Sequence, residues 1–262
     1  MPLVFAAITP HPPLLIPAIG REHLAEIEAT RLAMEQLEQD LYSAKPDLIV
    51  VISPHGELDP VAFTVNLCQE FNLNFEIFGD FSTKMKFTGD TVAFTVAKES
   101  ISAKSPLNII SAPELDHGCG VPLFYLARHL PQTPIVPIYF SMLDNQAHFE
   151  FGKALKDLIL NSDRRIAVVA SGDLSHCLSE KSPAKYNPAG KIFDEKIIGL
   201  IAGCDFTSLV NLDRQSIEAA AECGLRSILI LAGLLSDISC KPKILSYEAP
   251  FGVGYLTAEI IL

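Results

Sequence analysis

The sequence predicts an α/β fold: a single three-layer domain with a mixed central β-sheet and helices on both faces. Three observations predict it. The runs Leu3–Thr9 (LVFAAIT), Asp47–Ser53 (DLIVVIS) and Arg165–Ser171 (RIAVVAS) are short, continuous and rich in β-branched residues, as strands covered on both faces are. Segments with helical spacing alternate with the strands through most of the chain. Gly224–Leu235 is apolar nearly all round, which fits a helix buried inside the molecule. No internal repeat, low-complexity stretch or Gly/Ser linker divides the 262 residues, so residues 1–262 are expected to form one domain.

Leu3–Thr9 opens as a buried strand that runs into a proline-rich loop. Glu22–Ala44 carries Leu24, Ile27, Met34, Leu37 and Leu41 at helical spacing with polar residues between, which is an amphipathic helix. Asp47–Ser53 is bounded by Pro46 and Pro54 and reads as an interior strand. Val61–Leu67 alternates as a strand does, and Asn74–Phe78 is a further candidate. A helix is expected over Asp90–Ser100, a strand over Leu107–Ser111, a short helix over Val121–His129 and a strand over Thr133–Phe140. Helices over Gln146–Leu160 and Lys191–Ala202 flank the interior strand Arg165–Ser171. After the buried helix, Ile244–Tyr247 and Val253–Ile261 close the sheet.

Composition excludes several classes of partner. The formal net charge is −11. Such a field repels phosphate backbones, so no nucleic-acid partner is expected. The longest apolar run, Ile228–Leu235, is far shorter than the roughly 20 residues that span a bilayer, so no membrane partner is expected. The N-terminal apolar run has no basic residues before it and is interrupted by Pro10, His11, Pro12 and Pro13. A secretion signal is therefore not expected, and the default location is cytoplasmic. Cys68, Cys119, Cys177, Cys204, Cys223 and Cys240 form no CxxC pair. They are expected as free thiols, which disfavours a zinc-finger site.

Four histidines follow expected strands: His11 in TPHPPLL, His55 in SPHGE, His117 in LDHGCGVPL and His176 in SGDLSHCL. His23, His129 and His148 lie within helical patterns instead. In α/β folds, ligand sites gather at loops beyond the carboxyl ends of strands. Neutral imidazole suits iron, zinc, copper and nickel. Prolines 10, 12, 13 and 54 stiffen these loops, and Gly56, Gly118 and Gly172 allow close backbone approach. One loop histidine is usually structural; four at the ends of strands of one sheet point to a metal site.

HPPLL, SPHG, DHGCGVPL, SGDLSH and AAECGLRSILILAGLL occur in this order. Together they resemble the catalytic B subunit (LigB-like) of the class III extradiol ring-cleavage dioxygenases, with which Memo-like proteins share a fold. The resemblance runs from about Leu3 to PFGVGYLTAEI near the C-terminus. It implies Fe(II) bound by His11, His55 and a carboxylate standing just before the buried helix, here Glu222. Cys223 is adjacent and matches the Cys of the Memo-like branch, and Glu248 in SYEAPFGVG is a further candidate. The third ligand stays open among them, since Glu222 also suits a helix-start cap and Cys223 a small buried residue. His176 matches the family's acid/base and His117 the residue lining the dioxygen and substrate pocket. Asp173 either orients an imidazole or caps a turn.

The resemblance further implies a catechol-type diol and O2 as reactants, with ring opening beside the diol. Zinc is considered as a substitute for iron or as the native metal. A homo-oligomer, or a small partner subunit that closes the pocket, is the expected protein partner. Two other readings stand beside this one. The first is a Memo-like metal-binding or interaction protein of a radical-SAM-associated system, without ring cleavage. The second is a zinc hydrolase using the same ligands. No cluster of Arg or Lys marks a particular substrate.

Overall fold

The computed structural model of the protein describes residues 2–92, 101 and 105–262. Its elements are β1 (Leu3–Thr9), α1 (Pro17–Gly20), α2 (Glu28–Ala44), β2 (Leu48–Ser53), β3 (Phe63–Asn66), β4 (Glu70–Phe75), β5 (Asp80–Thr88) and β6 (Leu107–Ile110). After these come α3 (His117–Leu126), β7 (Ile135–Tyr139), α4 (Asn145–Leu160), β8 (Ile166–Ser171), α5 (Ala189–Ala202), α6 (Phe206–Val210), α7 (Arg214–Ala220), α8 (Leu225–Leu235), β9 (Lys241–Glu248) and β10 (Tyr255–Ile261).

Eight strands form one mixed sheet in the order β6-β3-β7-β2-β8-β1-β10-β9. Its centre, β7-β2-β8-β1, is parallel. β3 and β10 pair antiparallel to its two sides. Alternation along the central strands divides the core. Leu48, Val50 and Ile52 of β2 and Ile166, Val168 and Ala170 of β8 face a layer containing α4, α5 and α8. Ile49 and Val51 of β2 and Ala167 and Val169 of β8 face α2 and α3. The expected three-layer α/β arrangement is therefore the observed one.

The parallel register places Thr9, Ser53 and Ser171 side by side where three neighbouring strands end. All three are fully buried. The loops beyond them carry His11, His55 and Asp173, so the sheet sets the spacing of the site.

Several elements depart from the sequence expectation. The helix expected from Glu22 begins as a 3-10 segment, Arg21–Ile27, and α2 starts only at Glu28. Glu248 then accepts the free Thr30 N–H at 2.6 Å, so this carboxylate serves a helix end. The strand candidate at Asn74–Phe78 lies earlier, at Glu70–Phe75, and Glu76–Phe78 makes the 3-10 turn into β5. β5 was hidden because it pairs only with β4 and keeps most of its residues exposed. The helix expected over Val121–His129 begins four residues sooner, at His117, because Asp116 caps it by accepting the Cys119 N–H. The helix expected over Asp90–Ser100 falls largely on residues 93–100, outside the described residues.

α8 is buried except at Arg226 and packs against β8 and α4. Glycine permits that crossing. A Cβ on Gly233 would sit 1.9 Å from the Phe149 carbonyl oxygen, and one on Gly152 would sit 2.0 Å from that of Ile230. Gly233→Ala is therefore expected to destabilise the protein by about 1–3 kcal/mol in urea unfolding. Gly199→Ala, in α5 with open space at its Cβ, should instead stabilise it by about 0.5–1 kcal/mol. Equal effects at the two positions would contradict this account of the crossing.

Candidate metal centre

His11, His55, His117 and His176 converge beyond the carboxyl ends of the parallel strands. His11 and His55 are delivered directly by β1 and β2. His117 is not delivered by its strand, because β6 runs opposite to the central strands. It arrives as the first residue of α3. The His117 ring stacks on His55 with centroids 4.3 Å apart, meets His11 edge-on at 5.4 Å, and has Phe78 edge-on at 5.1 Å.

The start of α3 also fixes the other two rings. Pro122 lies inside α3 and has no N–H to give the carbonyl four residues back, that of Gly118. The Ser171 hydroxyl fills the gap and donates to Gly118 O at 2.5 Å. With its hydrogen committed there, Ser171 Oγ can only accept from His11 Nδ1, 3.0 Å away. His11 therefore carries its proton on Nδ1, and its Nε2 lone pair is bare. Ser53 plays a parallel part: its hydroxyl donates to Asp116 Oδ1 at 2.5 Å and accepts the His55 N–H at 3.3 Å.

His11 Nε2 lies 3.0 Å from His55 Nε2 and 3.6 Å from Cys223 Sγ. The ligand atoms of His11, His55 and Cys223 all lie within 4.8 Å of one another. A tetrahedral ion bound at ordinary Zn–N and Zn–S lengths has an N···S edge of about 3.5 Å, so the 3.6 Å separation suits one ion bound to both. Two imidazoles and a thiol make a donor set for a transition metal, and the residues fit such an ion. His176 Nε2 stands 3.8 Å from Cys223 Sγ.

Cys223 reaches this point because two loops are zipped together. Cys223 N–H donates to Asp173 O at 3.3 Å, Asp173 N–H donates to Cys223 Sγ at 3.3 Å, and His176 N–H donates to Ala220 O at 3.0 Å. The approach needs glycine on both sides, since a Cβ on Gly172 would lie 2.1 Å from Gly224 Cα.

The three candidates for third ligand thus separate. Cys223 joins the imidazoles. Glu222 caps α8, its Oε2 accepting the Leu225 N–H at 2.5 Å, and it is not in the ligand cluster found among the described residues. Glu248 is committed to Thr30. Asp173 is buried and accepts the His11 backbone N–H at 2.9 Å. That contact anchors the loop after β1, and the other carboxylate oxygen, Oδ2, lies 4.0 Å from His11 Nε2. Ser53, Ser171 and Asp116 were not anticipated. The serine ending each of two strands, and a proline inside the helix after DHGCG, were the available signals.

The imidazoles are kept neutral. Burial, then repulsion from His55, His117 and His176, holds His11 well below the ordinary histidine value. His55 reaches the surface, yet the partial burial of its ring, and then His117, lower it to about 4, with Asp116 opposing. Burial lowers His117, and burial together with His55 lowers His176. Burial pushes Asp173 up to about 7, against the His11 N–H, and Glu222 up to about 7, against the Leu225 N–H. It also raises the Cys223 thiol, and the neighbouring Asp173 adds to this. A cation among these donors would reverse the last effect, because a coordinating thiol is deprotonated.

The family model for the catalytic LigB subunit of aromatic ring-opening dioxygenase matches residues 5–258. This chain belongs to the LigB family. Among curated relatives, this chain is 30% identical to Protein CA_C1420 of Clostridium acetobutylicum over 95% of this chain's length. It is 26% identical to the 2,3-dihydroxyphenylpropionate/2,3-dihydroxicinnamic acid 1,2-dioxygenase of Photorhabdus laumondii over 79% of its length. It is 22% identical to the 2-aminophenol 1,6-dioxygenase beta subunit of a Pseudomonas species over 98% of its length. The chain spans 55% of the first of these proteins, 65% of the second and 93% of the third. The crystal structure of an uncharacterized Escherichia coli K12 protein, JW3007, has the same fold, with a TM-score of 0.70 and 18% identity over 99% of this chain and 100% of that one. No helix among the described residues is long and apolar enough to cross a membrane.

Two outcomes are expected in metal titrations. Ser171→Ala should lower metal affinity about 10–100-fold with the fold retained by circular dichroism, because His11 loses the partner that sets its tautomer. Cys223→Ala should lose the metal while Glu222→Gln keeps it; the opposite pattern would return the third-ligand role to the carboxylate.

Proposed function

We propose that this LigB-family chain is a metal-dependent ring-opening dioxygenase acting on a catechol-type aromatic diol with O2. Residues 1–262 form its catalytic domain, and Fe(II) is held by His11, His55 and Cys223. The observation that carries the reading is the bare Nε2 of His11 converging with His55 Nε2 and Cys223 Sγ where the parallel strands end. The dioxygenase names of two relatives support the reaction class. When bound, the iron supplies the electron transfer that ring opening by O2 requires.

The remaining work falls to the chain's own side chains. His176 is half-buried, and burial lowers its basicity, so its imidazole is neutral near pH 7 and accepts a proton from a diol hydroxyl. Its Nε2, close to Cys223 Sγ, is the atom that holds this proton. His117, flat against His55 and edge-on to Phe78, forms an aromatic wall that suits a planar ring and keeps water from it. Asp173 holds the loop that carries His11. The relative named as a beta subunit supports association with a second subunit.

One observation favours a second reading. A thiol in place of a carboxylate suits softer metals, zinc or copper, and a metal-binding protein without ring cleavage. Metal analysis after anaerobic purification separates the two, combined with oxygen-electrode assays of the iron-loaded protein against a panel of catechols. Oxygen uptake with at least one catechol is expected. His176→Ala should reduce turnover about 100-fold or more while the metal stays bound. No uptake by protein carrying iron would sink the dioxygenase reading, and loss of metal from His176→Ala would make that residue a ligand.

A further inference from the structure

Two thiols lie together far from the metal centre. Cys204 sits in the turn between α5 and α6, and Cys240 sits just before β9. Thirty-five residues separate them in sequence, yet both line one cleft of about 300 Å³ with Phe149, Phe206, Leu235 and Ile238. Cys204 is exposed and Cys240 half-buried, and both are free. The Cys204 thiol donates to the Cys240 carbonyl oxygen at 3.6 Å. The Cys240 thiol is raised first by burial and then by the Cys204 thiol facing it. The other described cysteines lack this pairing. Cys119 and Cys177 are buried, Cys68 Sγ points at the Glu70 carbonyl oxygen, and Cys223 belongs to the metal centre.

We propose that Cys204 and Cys240 form a dithiol site that takes low-molecular-weight disulfides and closes into a reversible intramolecular disulfide. The exposed Cys204 gives up its proton, and its thiolate attacks one sulfur of the incoming disulfide, RSSR. A Cys204–SR bond forms and RS⁻ leaves, taking a proton to become RSH. Cys240 then loses its proton, and its thiolate displaces the second RS⁻, which leaves as RSH. One RSSR is reduced to two RSH, and two cysteines are oxidised to one cystine. Solvent access assigns the roles: Cys204 attacks and Cys240 resolves.

The bridge would tie the α5–α6 turn to the segment just after α8. That segment follows the far end of the helix whose other end is joined to Cys223 through Gly224, and the 11-residue helix between them is about 16 Å long. Oxidation would therefore pin α8 without touching the metal ligands, and cross-linking a long loop should raise thermal stability.

The test is peptide mapping of the metal-loaded protein after incubation with oxidised glutathione. The expected product is a Cys204–Cys240 linked peptide pair that has lost two hydrogens and separates again with dithiothreitol. The melting temperature should rise and the metal content should not change. Cys240→Ser should stop at a glutathione adduct on Cys204 and lose the rise in melting temperature. The proposal is overturned if the wild-type protein stops at that same adduct, or links two chains through Cys204. It is also overturned if both thiols stay reduced. None of these outcomes depends on ring cleavage, so its failure would be distinct from failure of the dioxygenase reading.

Discussion

The hydroxyl of Ser171 is the contact on which the site depends. It stands between the Gly118 carbonyl, which Pro122 leaves without a helical donor, and the Nδ1–H of His11. A missing hydrogen bond inside one helix thereby decides which nitrogen of a distant histidine is bare. The serine can do this because β8 ends beside β1 in register, Thr9 opposite Ser171. Ser53 repeats the device one strand over, tying the His55 backbone to the cap of the same helix. Residues 116–118 thus brace both histidine loops, and His117 sits between the two braces.

Bracing the loops so tightly has an electrostatic consequence. Four imidazoles converge, His11 buried, His117 and His176 half-buried and His55 reaching the surface, and desolvation with repulsion among the rings keeps them neutral. Bare imidazole nitrogens and a half-buried thiol next to one another gain little in a protein without an ion. They satisfy one another imperfectly, with His11 Nε2 facing His55 Nε2 at 3.0 Å. A bound cation resolves all of these contacts together. Functional sites are where local rules of stability are commonly broken, and this cluster fits that pattern.

Much of this was legible in the sequence, for identifiable reasons. The strands that build the parallel centre are uninterrupted apolar runs, and α8 is apolar on every side, so burial on both faces was written in composition. The four site histidines stood out because three sit in loops of parallel strands and all lie near glycine or proline. The two-stranded β4–β5 hairpin was only partly seen because most of β5 is exposed, and between its buried ends Met85 is only half-buried, with Lys84 and Lys86 on the opposite face. The choice between Glu222 and Cys223 could not be made from adjacent letters. The backbone pairing of Cys223 with Asp173 separates the two side chains, turning the thiol toward His11 and leaving the carboxylate at the Leu225 N–H. The serine braces were invisible for a related reason: a hydroxyl's partners are set by register between distant strands, not by its own neighbours.

The central claim is that one metal ion is held by His11, His55 and Cys223. X-ray absorption at the metal edge of the loaded protein tests it most directly. The account predicts nitrogen scatterers together with a sulfur scatterer at about 2.3 Å, and loss of the sulfur shell in Cys223→Ala with any metal that remains. A first shell of nitrogen and oxygen alone in the unmodified protein would contradict it.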